Sequence, residues 1–124
     1  MTPMATTDTC CTIAPYFKVA AGRMTEFKAL CERFVATTQS EGGCLYYGFC
    51  FDGELVHCRE GYRDAEALLA HLANVGAILD EALQIGTIQR LEVAGPETEL
   101  ALLRGPLAPY APQFLVLEYG FRRP

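Results

Sequence analysis

The stretch Cys44–Tyr62, CLYYGFCFDGELVHCREGY, decides how this chain folds. Two runs rich in aromatic and β-branched residues, Cys44–Asp52 and Glu54–Tyr62, meet at Asp52-Gly53. That dipeptide between apolar runs predicts a two-residue hairpin with a type I′ turn. With Asp52 and Gly53 as the central pair, Phe51 faces Glu54, Phe49 faces Val56, Tyr47 faces Cys58 and Leu45 faces Glu60, because opposite positions share one face of a sheet. That face is nearly all apolar. The other sets Tyr46 with Arg59, Gly48 with His57 and Cys50 with Leu55, a mixed surface.

Reading outward from the hairpin, Met24, Phe27, Leu30, Cys31, Phe34 and Val35 recur at spacings of three and four, the stripe of an amphipathic helix that stops before Gly42 and Gly43. Cys11–Val19 ahead of it reads as a strand, with Pro15 marking an edge or a bulge. After the hairpin, Asp64 is suited to cap a helix with the stripe Leu68, Leu72 and Val75. Gly76 predicts an interruption, with a second short helix through Ile78, Leu79, Ala82 and Leu83.

Gly86–Ala94 alternates as a strand, with Ile88, Arg90 and Glu92 on one side and Thr87, Gln89, Leu91 and Val93 on the other. Glu97–Arg104 reads as one or two helical turns, Pro106, Pro109 and Pro112 punctuate a stiff connection, and Phe114–Phe121 is a strand apolar on both faces. The order β-α-β-β-α-β with an added terminal strand is that of an α+β, ferredoxin-like split βαβ fold, whose helices cover one face of an antiparallel sheet.

The 124 residues fit a single domain over 1–124, with 1–9 as a flexible lead-in and 95–124 as a C-terminal helix, linker and strand. Hydrophobic residues make up 51% and charged residues 20%, enough to build a core. A net charge of −5 without a basic cluster argues against nucleic acid. The apolar stretches read as strand-length, well short of the roughly 20 residues that cross a bilayer, and residues 1–10 lack the pattern of a secretory signal, so no membrane partner and a cytoplasmic location are expected. Of the six cysteines most fall at apolar periodic positions and read as core filler, while Cys10 and Cys11 near the polar start are candidates for reactivity.

The residues Glu41-Gly42-Gly43-Cys44-Leu45 followed by Tyr47, then Glu60, Tyr62, Asp64 and Ala70-His71-Leu72, resemble the antibiotic biosynthesis monooxygenase-like family of dimeric α+β barrel proteins over roughly residues 11–94. The resemblance implies a homodimer and a cleft between sheet and helices lined by Tyr47, Glu60, Tyr62, His71 and Asn74. It also implies cofactor-free oxygenation of a phenol or quinol.

His71 and Asn74 lie three apart on a predicted helix and share a face. In one reading His71 takes a proton from a small aromatic ligand while Asn74 holds its carbonyl; in the other His71 hydrogen-bonds within the helix–sheet seam. Glu60 among apolar neighbours is either a carboxyl with a raised pKa or the partner of an arginine across a dimer. His57 and Arg59 fit an interface or an anion. Neither metal-ligand spacing nor a phosphate-cradling loop is present, so no metal and no cofactor are expected. Two functions stay open: a monooxygenase-like enzyme, and a non-catalytic dimeric ligand-binding or assembly protein. An open cleft reaching His71 favours the first, a filled one the second. Apolar side chains on the uncovered sheet face and terminal strand favour pairing of two copies, with that strand exchanged between them.

Overall fold

The computed structural model describes residues 5–124. Its elements are β1 (Cys11–Val19), α1 (Met24–Thr38), β2 (Cys44–Asp52), β3 (Leu55–Tyr62), α2 (Ala65–Ile85), β4 (Gly86–Gly95), α3 (Glu97–Leu107), a 3₁₀ turn (Ala108–Tyr110) and β5 (Gln113–Val116). The five strands form one sheet in the order β2-β3-β1-β4-β5, antiparallel except for the parallel β4–β5 pair. This is the expected split βαβ plan.

The helices all pack on one face of the sheet, and two apolar clusters fill the space beneath them. Phe17, Phe27, Phe34, Val56 and Val75 centre one cluster under α1 and α2. Cys11, Ile13, Tyr62, Leu68, Leu100 and Leu103 centre the other under α2 and α3. Burying a side chain such as Phe27 or Leu103, each 0% exposed, stabilises the fold by about 1.5–3 kcal/mol.

The hairpin forms, but two residues out of the expected register. Asp52 pairs with Leu55, so Gly53 and Glu54 make the turn and Phe51, Phe49 and Tyr47 face Val56, Cys58 and Glu60. Gly53 has φ +57 and occupies the first central position, where a type II′ turn places glycine. Leu45, expected opposite Glu60, is the unpaired residue of a bulge between Cys44 and Tyr46.

Pro15 lies in a central strand, flanked by β3 and β4, rather than at an edge. Its carbonyl accepts a hydrogen bond from His57 Nδ1 at 3.2 Å, and the register with β4 shifts at the next residue. Phe17 faces Ile88 and Tyr16 faces Arg90, so Gln89 is extra, and the bulge turns Ile88 to the side of Leu91 and Val93. The expected alternation of β4 therefore fails at this point.

Gly76 does not break α2. A glycine in a helix costs about 1 kcal/mol relative to alanine. The buried stripe Leu68, His71, Val75, Ile78, Ala82 and Ile85 continues straight through and outweighs that cost. At 21 residues α2 is long and apolar enough by composition to cross a bilayer, contrary to the expectation of strand-length stretches, yet that stripe is buried against the sheet. Asp64 caps the helix, its side chain accepting from the Ala67 N–H at 2.8 Å.

At the C-terminus α3 is longer than expected and takes in Pro106, while the terminal strand is shorter, ending at Val116. In this chain β5 lies along its own β4. Residues 1–4 of the lead-in lie outside the described residues; Thr6 N–H donates to the Glu118 carbonyl at 2.9 Å, which sets residues 5–9 beside the chain's end.

Cys10, Cys11, Cys31 and Cys58 are buried, Cys44 is half-buried and Cys50 exposed. Burial raises the Cys10 thiol and pushes Cys11 up to about 12, so these two are packed thiols rather than reactive ones.

Candidate active site

His71 is placed by α2. One turn of helix separates Leu68, His71 and Val75, and the cap at Asp64 sets the phase that turns all three onto the sheet. Its ring is 2% exposed and sits over β3, with ring centroids of Tyr47 at 5.2 Å and Tyr62 at 5.0 Å. Tyr47 and Glu60 are cross-strand partners, so both side chains rise from the sheet toward the imidazole.

Each ring nitrogen meets a carboxyl group. Nδ1 lies 2.9 and 3.0 Å from the two oxygens of Glu41. A carboxylate can only accept, so Nδ1 carries the proton and donates, which leaves the lone pair on Nε2. Nε2 lies 3.4 Å from Glu60 Oε1. That oxygen also accepts the Tyr62 hydroxyl at 2.6 Å. Glu60 is buried beneath the helices and takes these two partners rather than an arginine across an interface.

Glu41 reaches His71 because the backbone beside it is glycine. A Cβ on Gly43 would lie 2.5 Å from the Ala67 Cβ, inside any tolerable contact, so only glycine lets the α1–β2 loop close against α2. The Gly43 carbonyl then accepts from the Arg63 N–H at 2.9 Å. Asn74 lies outside the cavity, on an exposed stretch of α2. Its amide donates to Glu41 Oε2 at 2.8 Å and to the Thr37 carbonyl at 3.3 Å.

Burial sets the protonation states. Loss of water pushes the Glu60 carboxyl up to about 7, with the Tyr62 hydroxyl opposing that shift. Burial also lowers His71 below its ordinary value, with Glu41 pulling the other way. Near neutrality the pair is thus a neutral imidazole facing a carboxyl that still holds a proton for part of the time. Burial raises the phenols of Tyr47 and Tyr62, which stay protonated.

His71 and Glu60 line a cavity of about 50 Å³ between sheet and helices. Apart from His71 and Glu60 its walls are mainly apolar, from Phe34 and Phe49 at one end to Leu91 and Leu107 at the other. Tyr47, Glu60 and His71 line it; Tyr62 stands behind Glu60. Glu41 and Glu60 sit at opposite nitrogens of the imidazole, so the three donors do not converge on one point. Among the described residues no group of three or more His, Cys, Asp or Glu side chains is placed to hold a metal. On the outer face of the sheet His57 stacks on Tyr16 at 4.3 Å and the Arg59 guanidinium lies over Tyr46 at 4.7 Å, away from the cavity.

A helix-backed sheet with a buried histidine between two carboxyl groups beside an apolar cavity defines an α+β protein with a polar cluster built into its interior. The family model described as antibiotic biosynthesis monooxygenase matches residues 12–77, and the chain belongs to that family. Over nearly its whole length it is similar to the crystal structure of MupZ from Pseudomonas fluorescens, with 48% identity, a TM-score of 0.89, and 94% of this chain and 97% of that one covered. More distant likenesses show the fold alone. Rv0793 from Mycobacterium tuberculosis is 19% identical with a TM-score of 0.63, covering 70% of this chain and 94% of its own. A crystal structure of an antibiotic biosynthesis monooxygenase is 18% identical with a TM-score of 0.60, covering 67% and 92%. No curated protein matches the chain.

Proposed function

We propose that the chain is an acid–base enzyme, a cofactor-independent monooxygenase-like member of its family that acts on a small aromatic or quinol, with His71 as the base. The pairing of His71 Nδ1 with Glu41 carries this reading, since it leaves Nε2 unprotonated beside Glu60, and both residues line the cavity. A substrate hydroxyl at Nε2 gives up its proton; the imidazolium that forms is stabilised by Glu41, and the phenolate is the electron-rich species that meets oxygen. Tyr47 walls the site, and Tyr62 holds Glu60. Asn74 acts through Glu41 as a positioning residue rather than on a substrate carbonyl. The cavity reaches His71 but measures only about 50 Å³, so the enzyme reading requires its wall to open, whereas a cleft that stays filled is the mark of the non-catalytic ligand-binding or assembly alternative.

The test is oxygen consumption with a panel of hydroquinones, comparing the parent with His71→Ala. Uptake in the parent and its loss in the variant support the reading, and equal rates remove His71 from the mechanism.

Glu60 favours a second reading. A carboxyl with a pKa of about 7 beside the base is a proton donor near neutrality, which proton abstraction alone does not use. Removal of one proton by His71 and return of another by Glu60 would isomerise a substrate without oxygen. Turnover that persists under nitrogen and fails in Glu60→Gln selects this reading.

Two copies acting together in the cytoplasm belong to the same proposal. Leu115, Val116, Tyr119 and Phe121 expose between 43% and 78% of their surface near the C-terminus, apolar area that a second copy can cover. Six cysteines without a disulfide suit a reducing compartment. Light scattering at dilute concentration reports the oligomeric state, and a single-chain mass would overturn the pairing.

A further inference from the structure

The outer end of the cavity is built by a segment beyond the reach of the family match, which ends at residue 77. The cavity crosses the sheet from Tyr47 on β2 past Glu60 on β3 and Pro15 on β1 to Leu91 on β4, where Leu107 and Tyr110 form its far wall. Neighbouring strands lie about 4.8 Å apart, so the His71 end over β3 and the wall at β4 are separated by roughly 10 Å. Among the described residues lining the cavity, Tyr110 is the exposed one, at 43%.

The cavity is too small for a substrate as it stands. An apolar cavity of roughly 150 Å³ takes benzene, and this one measures about 50 Å³. Some part of the wall must move; the buried residues Phe34, Leu91 and Leu107 cannot do so without unpacking the core, Tyr47, Phe49, Leu72, Leu79 and Ile88 are half-buried, and Tyr110 is the most exposed. The backbone under Tyr110 is held: Pro109 and Pro112 flank it, Ala111 sits at φ +48, and the Ala111 N–H donates to the Ala108 carbonyl at 3.0 Å. The least hindered movement is rotation of the Tyr110 ring into solvent.

We propose that Tyr110 is the gate and a specificity-determining residue of this site. Its ring occupies the outer end of the cavity, and substrate enters by displacing it. The substrate is then a slender, mostly apolar molecule whose reacting hydroxyl lies at the inner end, a description that rests on His71 acting as the base. Its distal portion lies along Leu91 and Leu107 and leaves past Tyr110, so the size of residue 110 sets how long a substrate fits.

Diethyl pyrocarbonate reports access to His71 without any substrate. Carbethoxylation is followed peptide by peptide by mass spectrometry in the parent, Tyr110→Ala and Tyr110→Trp, with His57 on the opposite sheet face as internal reference. His71 should react severalfold faster in Tyr110→Ala and severalfold slower in Tyr110→Trp, with His57 unchanged. Equal His71 rates in the three proteins overturn the gate. A series of para-alkylphenols of increasing chain length is then added as protectant. Protection of His71 in the parent, with the best chain length moving upward in Tyr110→Ala, supports the substrate class. Rates that follow residue 110 without protection by any phenol keep the gate and overturn the hydroxyl substrate. Protection that ignores residue 110 keeps His71 as the base and overturns the gate.

Discussion

Replacing Glu60 with glutamine should make the protein more stable, and the gain should depend on pH in a direction that only a raised carboxyl pKa produces. Glu60 is 6% exposed, and burial moves its carboxyl from 4.5 to about 7. The folded protein therefore binds this proton more tightly than the unfolded chain does. Below pH 4.5 both states hold the proton and Glu60 exerts no pH-linked penalty. Between 4.5 and 7 the unfolded chain has lost it while the folded one has not, so stability falls as pH rises. Above 7 both are ionised and the penalty is constant. Each factor of ten is worth about 1.4 kcal/mol, so the full penalty is about 3 kcal/mol.

Glutamine keeps an oxygen to accept the Tyr62 hydroxyl and carries no charge. Relative to the parent, Glu60→Gln should gain little at pH 4.5 and about 3 kcal/mol at pH 8. With urea slopes of about 1–3 kcal/mol per molar, the gain moves the unfolding midpoint by roughly 1 M or more. The His71 pKa is lowered by burial, so its own contribution is lost as pH falls below its unfolded value; it is present in both proteins and largely cancels in their difference. Urea unfolding at pH 5 and pH 8 is the assay. A difference between the two proteins that is the same at both pH values would refute the buried, proton-holding Glu60.

Glu41→Gln leaves the fold in place but weakens the acceptor at His71 Nδ1. Turnover should fall by about 10²-fold or more with little change in unfolding midpoint, read by steady-state kinetics beside urea titration. Gly43→Ala drives a methyl group to within 2.5 Å of Ala67 and should lower stability and activity together, whereas Gly42→Ala, with open space around it, should lower neither by clash. Leu103→Ala empties a fully buried position under α3 and should cost about 2–5 kcal/mol of stability by urea unfolding, while leaving the pH dependence of that stability as in the parent.

Two register shifts in the sheet differ in their consequence for the site. Side chains on a strand alternate with a period of two. Moving the hairpin turn from Asp52-Gly53 to Gly53-Glu54 slid the pairing by two residues, and Tyr47, Phe49, Val56, Cys58 and Glu60 all stayed on the helix side. The extra residue Gln89 shifts β4 by one, and that turns Ile88 into the cavity. Bulges of this kind answer to the neighbouring strand, here at the step from Tyr16 to Phe17 on β1, and have no local signature in Gly86–Ala94. Gly76 misled for the same kind of reason: its local cost is about 1 kcal/mol, and the stripe it interrupts in sequence is continuous in packing.

The site divides along the same line. Tyr47, Glu60 and His71 came from the family resemblance, and each belongs to a periodic element whose phase turns it to the side of the cavity. Glu41 stands in a loop, where no period applies. What marks it in retrospect is its neighbourhood: a carboxylate followed by Gly42 and Gly43 can approach a helix closely enough to hydrogen-bond a side chain that the helix buries. Tyr110 had still less to announce it. Between Pro109 and Pro112 it belongs to a segment that reads as a linker, and it becomes part of the cavity because α3 runs on through Pro106 to Leu107, three residues past the expected end at Arg104. Those three residues carry the chain to the edge of the sheet beyond β4. A helix that stopped at Arg104 would leave the cavity open there, so the length of α3 decides whether this site is a cleft or a gated chamber.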